Sequence, residues 1–193
     1  MAKEKVQLSA EQLQVEGTTE AQHVTVDGLK IRLARPFVLD FDWVGNRKVL
    51  NQILAAWHTT ESGDKPMNPR LIGKPGVGKT ALAYCAGKAI GLPVYFFQGT
   101  SDTAPNDLLI NPIVVESSKD SSHVEYVAST VVTAMIVGGA LILDEGNRMQ
   151  EKAWASLAPL LDSRRYIEST SIGLMLKAHP NFKFISTMND DAS

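Results

Sequence analysis

Apolar and polar positions vary along the chain in a way that predicts strands and helices in turn. Between residues 49 and 57, apolar residues recur at spacings of three and four, which predicts a helix of about four turns beginning near Val44. Short, almost continuous apolar runs predict buried strands at 70–72, 94–97, 140–143 and 182–187. Helical patterns separate them at 80–90, 126–137 and 150–161. This alternation predicts an α/β fold whose parallel sheet is covered on both faces.

The first 36 residues follow a different pattern. Residues 1 to 20 are rich in Glu, Gln and Thr without apolar periodicity, and they predict a loose polar leader. Residues 23–33 alternate around Asp27-Gly28, a dipeptide typical of a two-residue hairpin turn. We therefore predict a leader with a β-hairpin over 1–36 and a larger unit over 37–193. Two further segments, 116–122 and 165–176, are predicted to leave the core, the second as a hairpin.

Composition and charge exclude several classes of protein. Apolar residues make up 44% of the chain and charged residues 21%, which is typical of a globular domain. The net charge of −2 lacks the basic excess that coating DNA requires, so we do not expect a nucleic-acid partner, which stays open as an alternative. The single cysteine, Cys85, excludes an internal disulfide and a zinc site built on cysteine pairs. Without an apolar run of about 20 residues or a signal peptide, we expect a cytoplasmic protein with no membrane contact.

Residues 73–80 read Gly-Lys-Pro-Gly-Val-Gly-Lys-Thr and match the phosphate-loop pattern GxxxxGK(S/T). The match lies between a predicted strand and a predicted helix, where backbone N–H groups and the helix dipole can face an anion. Lys79 can carry positive charge to the β- and γ-phosphates, and the Thr80 hydroxyl can ligate Mg²⁺. The alternative is a glycine-rich turn that binds nothing, but a chance match in such a chain is on the order of one in a hundred.

Polar residues also follow the next predicted strands. Asp144 and Glu145 end the run at 140–143, at the edge of a parallel sheet where ligands bind. Asp144 can hold Mg²⁺ through water, and Glu145 can polarise an attacking water. Asn189 would reach the γ-phosphate if its strand lies between those ending at Gly73 and Asp144. The alternatives are a solvated acidic turn and an asparagine in an ordinary turn.

Together these residues resemble the AAA+ ATPase core and, within it, the MoxR-like group with dynein-related, midasin-like modules. Walker A at 73–80, Walker B at 144–148 and sensor 1 at 187–189 carry the resemblance, which spans about 37–193. It implies a P-loop NTPase fold of three αβα layers with strand order 5-1-4-3-2. The fifth strand, an arginine finger and a helical lid follow sensor 1 in this family. We therefore expect this chain, which stops at Ser193, to lack them.

The resemblance also implies roles for individual residues, with ATP and Mg²⁺ as the ligands. Thr80 and Asp144 would bind the metal, Glu145 would be the catalytic base, Asn189 the sensor and Lys79 a catalytic cation. The residues implied to contact ATP are Gly73, Pro75, Gly76, Val77, Gly78, Lys79, Thr80, Ala81 and, next to adenine, Val44 and Gly45. The intersubunit arginine candidates are Arg148, Arg164 and Arg165, with solvated surface charges as the alternative.

The function implied by the resemblance is ATP hydrolysis coupled to remodelling of a protein partner. The complete protein would form a homo-oligomeric ring, a hexamer, whereas this chain alone would be weakly active. Two alternatives stay open: a nucleotide-dependent assembly module with negligible turnover, and a DNA-processing AAA+ module. No Asn-Lys-x-Asp segment supports a GTPase. Without a fifth strand, residues 70–72 would form an open sheet edge that the leader or the hairpin could cover.

Overall fold

The structure, a computed structural model, describes residues 14–18, 21–40, 42–61, 63–117 and 121–190. Within these residues the strands are β1 Gln14–Thr18, β2 Ala21–Val26, β3 Leu29–Arg32, β4 Arg70–Gly73, β5 Val94–Gln98, β6 Ile110–Ser117, β7 Ser121–Ala128, β8 Ala140–Asp144, β9 Tyr166–Ser169, β10 Leu174–Lys177 and β11 Lys183–Asn189. The α-helices are α1 Arg47–Trp57, α2 Lys79–Ala89, α3 Thr130–Val137 and α4 Glu151–Leu161. Short 3₁₀ turns occur at Pro105–Leu108 and Gly146–Arg148.

Four parallel strands form the central sheet, in the order β4-β11-β8-β5. Asn189 of β11 is in register with Gly73 of β4, and β11 pairs with β8 on its other side. Asp144 of β8 pairs with Gln98 at the end of β5. The strands therefore end at one edge of the sheet. The order is the expected one without an outer fifth strand in the described part of the chain.

Helices cover both faces of this sheet. β8 is buried over most of its length, and its side chains point alternately to the two faces. Leu141 and Leu143 join the core that includes α3 and α4. Ala140 and Ile142 join the core that includes α1 and α2. The expected three-layer αβα arrangement is therefore confirmed.

A second sheet of five strands runs in the order β1-β2-β3-β7-β6. β2 and β3 form the predicted hairpin, and Asp27 and Gly28 both have positive φ, as a type I′ turn requires. β3 then pairs in parallel with β7. Val24 and Ile31 are fully buried in the same core as α3 and α4. The hairpin thus packs into the main core, while a domain boundary at residue 36 stays a prediction.

Two expectations for the amino-terminal region are wrong. Residues 14–18 form β1, which pairs antiparallel with β2, so part of the leader expected to be loose is a strand. The rest of that leader, residues 1–13, 19 and 20, lies outside the described residues. The hairpin does not cover β4, because β3 pairs with β7 instead. Among the described strands β4 pairs with β11 alone, and its Ile72 is 62% exposed.

The helix expected over 126–137 begins later, because Ser121–Ala128 form β7. This strand pairs antiparallel with β6, so the described residues of the polar stretch, 116, 117, 121 and 122, belong to the two paired strands, while 118–120 lie outside the described residues. Ser129 caps α3 by accepting a hydrogen bond from the Val132 N–H at 3.1 Å, and Gly138 ends the helix with a φ of 75°. The hairpin predicted at 165–176 is present as β9 and β10. None of the described helices is long and apolar enough to cross a membrane.

Candidate functional site

The glycine-rich loop at 73–80 leads from β4 into α2 at the carboxyl edge of the central sheet. Gly76 and Gly78 have φ of 78° and 85°, left-handed values that favour glycine. Gly78 is also the N-cap of α2, and its position supplies no side-chain cap to the first turn. Uncapped N–H groups and the positive end of the helix dipole therefore favour an anion here.

Lys79, the first residue of α2, turns back over the loop. Its ammonium donates three hydrogen bonds, to the carbonyl oxygens of Gly73 and Lys74 at 2.9 Å each and to Asn189 Oδ1 at 3.0 Å. Three is the full complement for an ammonium group. No carboxylate of the described residues lies within ion-pair distance of it. Neutral oxygens thus position the positive charge of Lys79, and no described carboxylate pairs with it.

Asp144 is fixed at the end of β8 by neighbours on both sides. Its Oδ2 accepts a hydrogen bond from the Thr80 hydroxyl at 3.2 Å. Its Oδ1 accepts from the buried Thr187 hydroxyl and from the Glu145 N–H, the latter at 3.0 Å. These bonds place a carboxylate and a hydroxyl side by side, and both are oxygen ligands that Mg²⁺ accepts.

Glu145 leaves the strand in a left-handed conformation, with a φ of 55° that is uncommon for a residue with a side chain. Its Oε1 accepts a hydrogen bond from Asn189 Nδ2 at 2.7 Å. Its Oε2 is buried, accepts no hydrogen bond from the described residues and forms an ion pair with Arg148. The carboxylate is therefore held between an amide and a guanidinium.

The Asn189 amide connects the phosphate-loop cation with the strand-end carboxylate. Its oxygen accepts from Lys79, and its nitrogen donates to Glu145. Since an amide carries its acceptor and its donors on different atoms, these two partners fix its orientation. A change at Lys79 or at Glu145 can therefore alter the position of the other residue through the Asn189 side chain.

These groups line one open cleft with a volume of about 330 Å³. The predicted residues that line it are Pro75, Gly76, Gly78, Lys79, Thr80, Ala81, Asp144, Glu145 and Asn189. Gly73 contributes only its carbonyl to Lys79, and Val77 is 58% exposed outside the lining. Val44 and Gly45 do not line the cleft, and Val44 is 95% exposed. The Trp43 ring lies against Gly45. A contact of Val44 and Gly45 with adenine stays a prediction.

Two residues contact this site in ways that the sequence did not predict. Thr187 donates to Asp144, and strand alternation places it on the same face as Asn189, so the spacing of two could have identified it. Arg148 was expected to be either an intersubunit arginine or a solvated charge. The structure pairs it with Glu145 of the same chain, because a 3₁₀ turn brings residues three apart together, and leaves its side chain 61% exposed. An intersubunit role for Arg148 stays a prediction.

The two arginines after α4 lie in different environments. Arg164 is exposed and binds Asp162 through Nε at 2.9 Å and Nη2 at 2.7 Å. Arg165 is only 7% exposed and donates from Nη2 to the Phe182 carbonyl oxygen at 2.8 Å. The reading of Arg165 as a solvated charge is therefore wrong, because its guanidinium is buried, whereas an intersubunit role stays a prediction.

Comparison with known proteins finds a matching family model and several relatives. The family model for the AAA domain of the dynein-related subfamily matches residues 70–192. An uncharacterized protein from Staphylococcus aureus (strain USA300) is 28% identical over 127 residues, which cover 66% of this chain and 48% of the relative. One from Staphylococcus haemolyticus is 28% identical over 123 residues, with coverages of 64% and 47%. The chain thus spans about half the length of these relatives.

The fold also matches a solved structure. A crystallised protein from Cytophaga hutchinsonii, assigned as an ATPase, superposes with a TM-score of 0.53 at 19% identity. The match covers 76% of this chain and 39% of the other. At this identity the likeness concerns the fold.

Proposed function

Because the chain belongs to the dynein-related subfamily of AAA domains, we propose that it binds ATP with Mg²⁺ and hydrolyses the bond to the γ-phosphate. One observation carries the proposal: a single cleft holds the phosphate-loop lysine and a strand-end glutamate, joined through Asn189. A site that only binds phosphate would need the lysine but neither the glutamate nor the amide. The glutamate and the amide are groups that a reaction with water requires.

Binding rests on the loop. Its N–H groups surround the phosphates, and Lys79 exchanges one of its neutral acceptors for a phosphate oxygen. A hydrogen bond to a charged oxygen is roughly twice as strong as one to a neutral oxygen, so this exchange favours the nucleotide. The contact of Val44 and Gly45 with adenine belongs to the same proposal.

The residues beside Lys79 fit a magnesium ion. The Thr80 hydroxyl and the Asp144 carboxylate are hard oxygen ligands, 3.2 Å apart and both on the cleft wall. No group of three or more His, Cys, Asp and Glu suited to a metal occurs in the described part of the chain. Mg²⁺ needs no such cage, since it keeps several waters and also binds substrate phosphates. When bound, it would neutralise charge that develops on those phosphates.

Hydrolysis requires a water in line with the bond to the γ-phosphate. As the water oxygen bonds to the γ-phosphorus, the bond between that phosphorus and the β-phosphate oxygen breaks, and ADP leaves. Glu145 accepts the proton that the water loses. Asn189 lies between Glu145 and Lys79 and positions both groups against the same phosphate.

The proposal also includes coupling of ATP hydrolysis to remodelling of a protein partner within a ring of identical subunits. The second candidate is a nucleotide-dependent assembly module with negligible turnover. One observation favours it: Arg148 and Asn189 contact the two carboxylate oxygens of Glu145, and these contacts compete with a water for the same oxygens. Steady-state phosphate release decides between the two, since the assembly module binds ATP without releasing phosphate.

Magnesium dependence tests the metal site. We expect phosphate release to stop when EDTA removes Mg²⁺ and to return when excess Mg²⁺ is added. Thr80→Ala removes one ligand, so we expect it to need about tenfold more Mg²⁺ for half-maximal turnover. Thr100→Ala is the matched control, since among the described residues Thr100 bonds to Thr103 alone, and it lies outside the cleft lining. An unchanged Mg²⁺ requirement in Thr80→Ala would contradict the assignment.

Asn189→Leu tests the amide link. The substitution keeps the branched shape of the side chain and removes both hydrogen bonds, so Glu145 and Lys79 lose their shared partner. We expect kcat to fall about 10²-fold, similar to the loss of one preorganised donor, with little change in ATP affinity. Single-turnover phosphate release and equilibrium titration with a fluorescent ATP analogue measure the two quantities. A normal kcat would rule out this role for Asn189.

A further inference from the structure

A second cleft, of about 420 Å³, lies at the amino ends of β4 and β11, at the opposite edge of the sheet from the first. Its walls come from the loop before β4, from Arg165 after α4 and from Lys183 at the start of β11. Neither the family comparison nor the proposed hydrolysis gives these residues a role.

Arg165 is a buried cation with no counterion among the residues that the structure describes. It is 7% exposed, its Nη2 donates to the Phe182 carbonyl oxygen at 2.8 Å, and its guanidinium carbon lies 5.1 Å from the centre of the Phe182 ring. No carboxylate of the described residues lies within ion-pair distance. Burial lowers the pKa of Arg165, as expected for a charge that has lost water. Fully buried arginines are almost always paired with a carboxylate, so this arrangement is uncommon.

Lys183 repeats the pattern beside it. Its ammonium donates to the Trp57 carbonyl oxygen at 2.9 Å and has no carboxylate partner in the part of the chain that the structure describes. Burial and the nearby charge of Arg165 both lower the pKa of Lys183. Two cations that repel each other thus line one cavity. An anion between them would relieve both the repulsion and the lost hydration.

The acidic residues of the cleft do not supply that anion. Asp64 Oδ2 accepts hydrogen bonds from the Thr60 N–H at 3.2 Å, the Thr60 hydroxyl at 3.0 Å and the Glu61 N–H at 3.0 Å. These bonds lower the pKa of Asp64 and tie its carboxylate to its own loop. Glu61 lines the cleft but forms no ion pair with Arg165 or Lys183.

The backbone at Arg165 adds a second argument. Its φ of 53° is left-handed, a conformation that costs free energy for any residue with a side chain. The neighbouring Arg164 is exposed and donates a hydrogen bond to Asp162. The chain therefore adopts a strained conformation that turns this one guanidinium inward. A hydrogen bond to a single carbonyl uses only one of its five N–H donors.

We propose that this second cleft binds a small oxyanion, with inorganic phosphate as the simplest example, between Arg165 and Lys183. The guanidinium offers paired N–H donors that match two oxygens of an oxyanion, and the ammonium adds a point charge. The cleft is distinct from the nucleotide site, since the two share no lining residue.

The test uses the full chain with Lys79→Ala, which weakens anion binding at the phosphate loop. Phosphate is titrated at constant ionic strength, and its affinity is measured by ³¹P line broadening and by the shift of the unfolding temperature. We expect binding in Lys79→Ala and a loss of about tenfold or more when Lys183→Met is added. Adding Arg165→Gln has the same expected effect. Adding Arg164→Gln, the matched control, leaves the affinity unchanged.

Two results would overturn the proposal: no phosphate binding by Lys79→Ala, or equal affinity with and without Lys183→Met. If Arg165→Gln does not fold, the Lys183→Met comparison decides alone. Lys183→Met in the otherwise natural chain should bind ATP normally, which separates this site from the proposed hydrolysis. Binding of phosphate can therefore fail while ATP turnover stands, and the reverse.

Discussion

Glu145→Gln suppresses ATP turnover by about 10²- to 10⁴-fold while ATP binding is retained, according to the role proposed for this residue. The amide keeps the shape of the side chain, and its oxygen can still accept the Asn189 hydrogen bond made at 2.7 Å. It cannot accept a proton from water at neutral pH. Single-turnover phosphate release measures the chemical step, and a titration with a fluorescent ATP analogue measures binding.

The control for this variant is Glu151→Gln, at the exposed start of α4, which removes the same charge outside the cleft. It should hydrolyse ATP at the normal rate. Loss of both binding and hydrolysis in Glu145→Gln would mean that the ion pair with Arg148 is structural and that Glu145 is not the base. If the natural chain itself releases no phosphate, the assembly module becomes the better description.

Lys79→Ala has the second large expected effect, a loss of ATP affinity of about 100-fold. A charge-assisted hydrogen bond to phosphate contributes about 1.5–3 kcal/mol, and the variant leaves only backbone N–H groups and the helix dipole. Equilibrium titration measures the effect. Asn189 also loses one of its two partners, so any residual turnover should fall further.

Lys74→Ala is the matched control, because Lys74 lies in the same loop and only its backbone carbonyl contacts Lys79. Its affinity should stay close to that of the natural chain. An equal loss in both variants would indicate a general effect of loop charge, and an unchanged affinity in Lys79→Ala would contradict the phosphate-loop assignment.

The central sheet and the first cleft were predictable because their determinants are local. Apolar runs mark the four parallel strands, and each polar group of the cleft follows directly on a strand end or lies within the loop. Parallel strands bring their carboxyl ends to one edge, so Lys79, Asp144 and Asn189 had to meet.

Long-range pairing was not predictable in the same way. Residues 126–128, at the end of β7, belonged to a predicted helix, but β6 supplies a partner for them, and pairing overrides local preference. The adjacent Arg164 and Arg165 look alike in sequence. Arg164 stays exposed because it binds Asp162, two residues before it. Arg165 is buried because it donates to the Phe182 carbonyl oxygen, seventeen residues after it.

The three hydrogen bonds of the Lys79 ammonium affect the entropy of nucleotide binding. A free lysine loses up to about 2 kcal/mol of rotamer entropy when it is fixed, and here folding has already imposed that loss. Arrival of ATP then swaps acceptors on an ammonium that stays in place, so little side-chain order remains to be created. Calorimetry should therefore find that this lysine contributes mainly through the charge of its new acceptor, with a small entropic penalty.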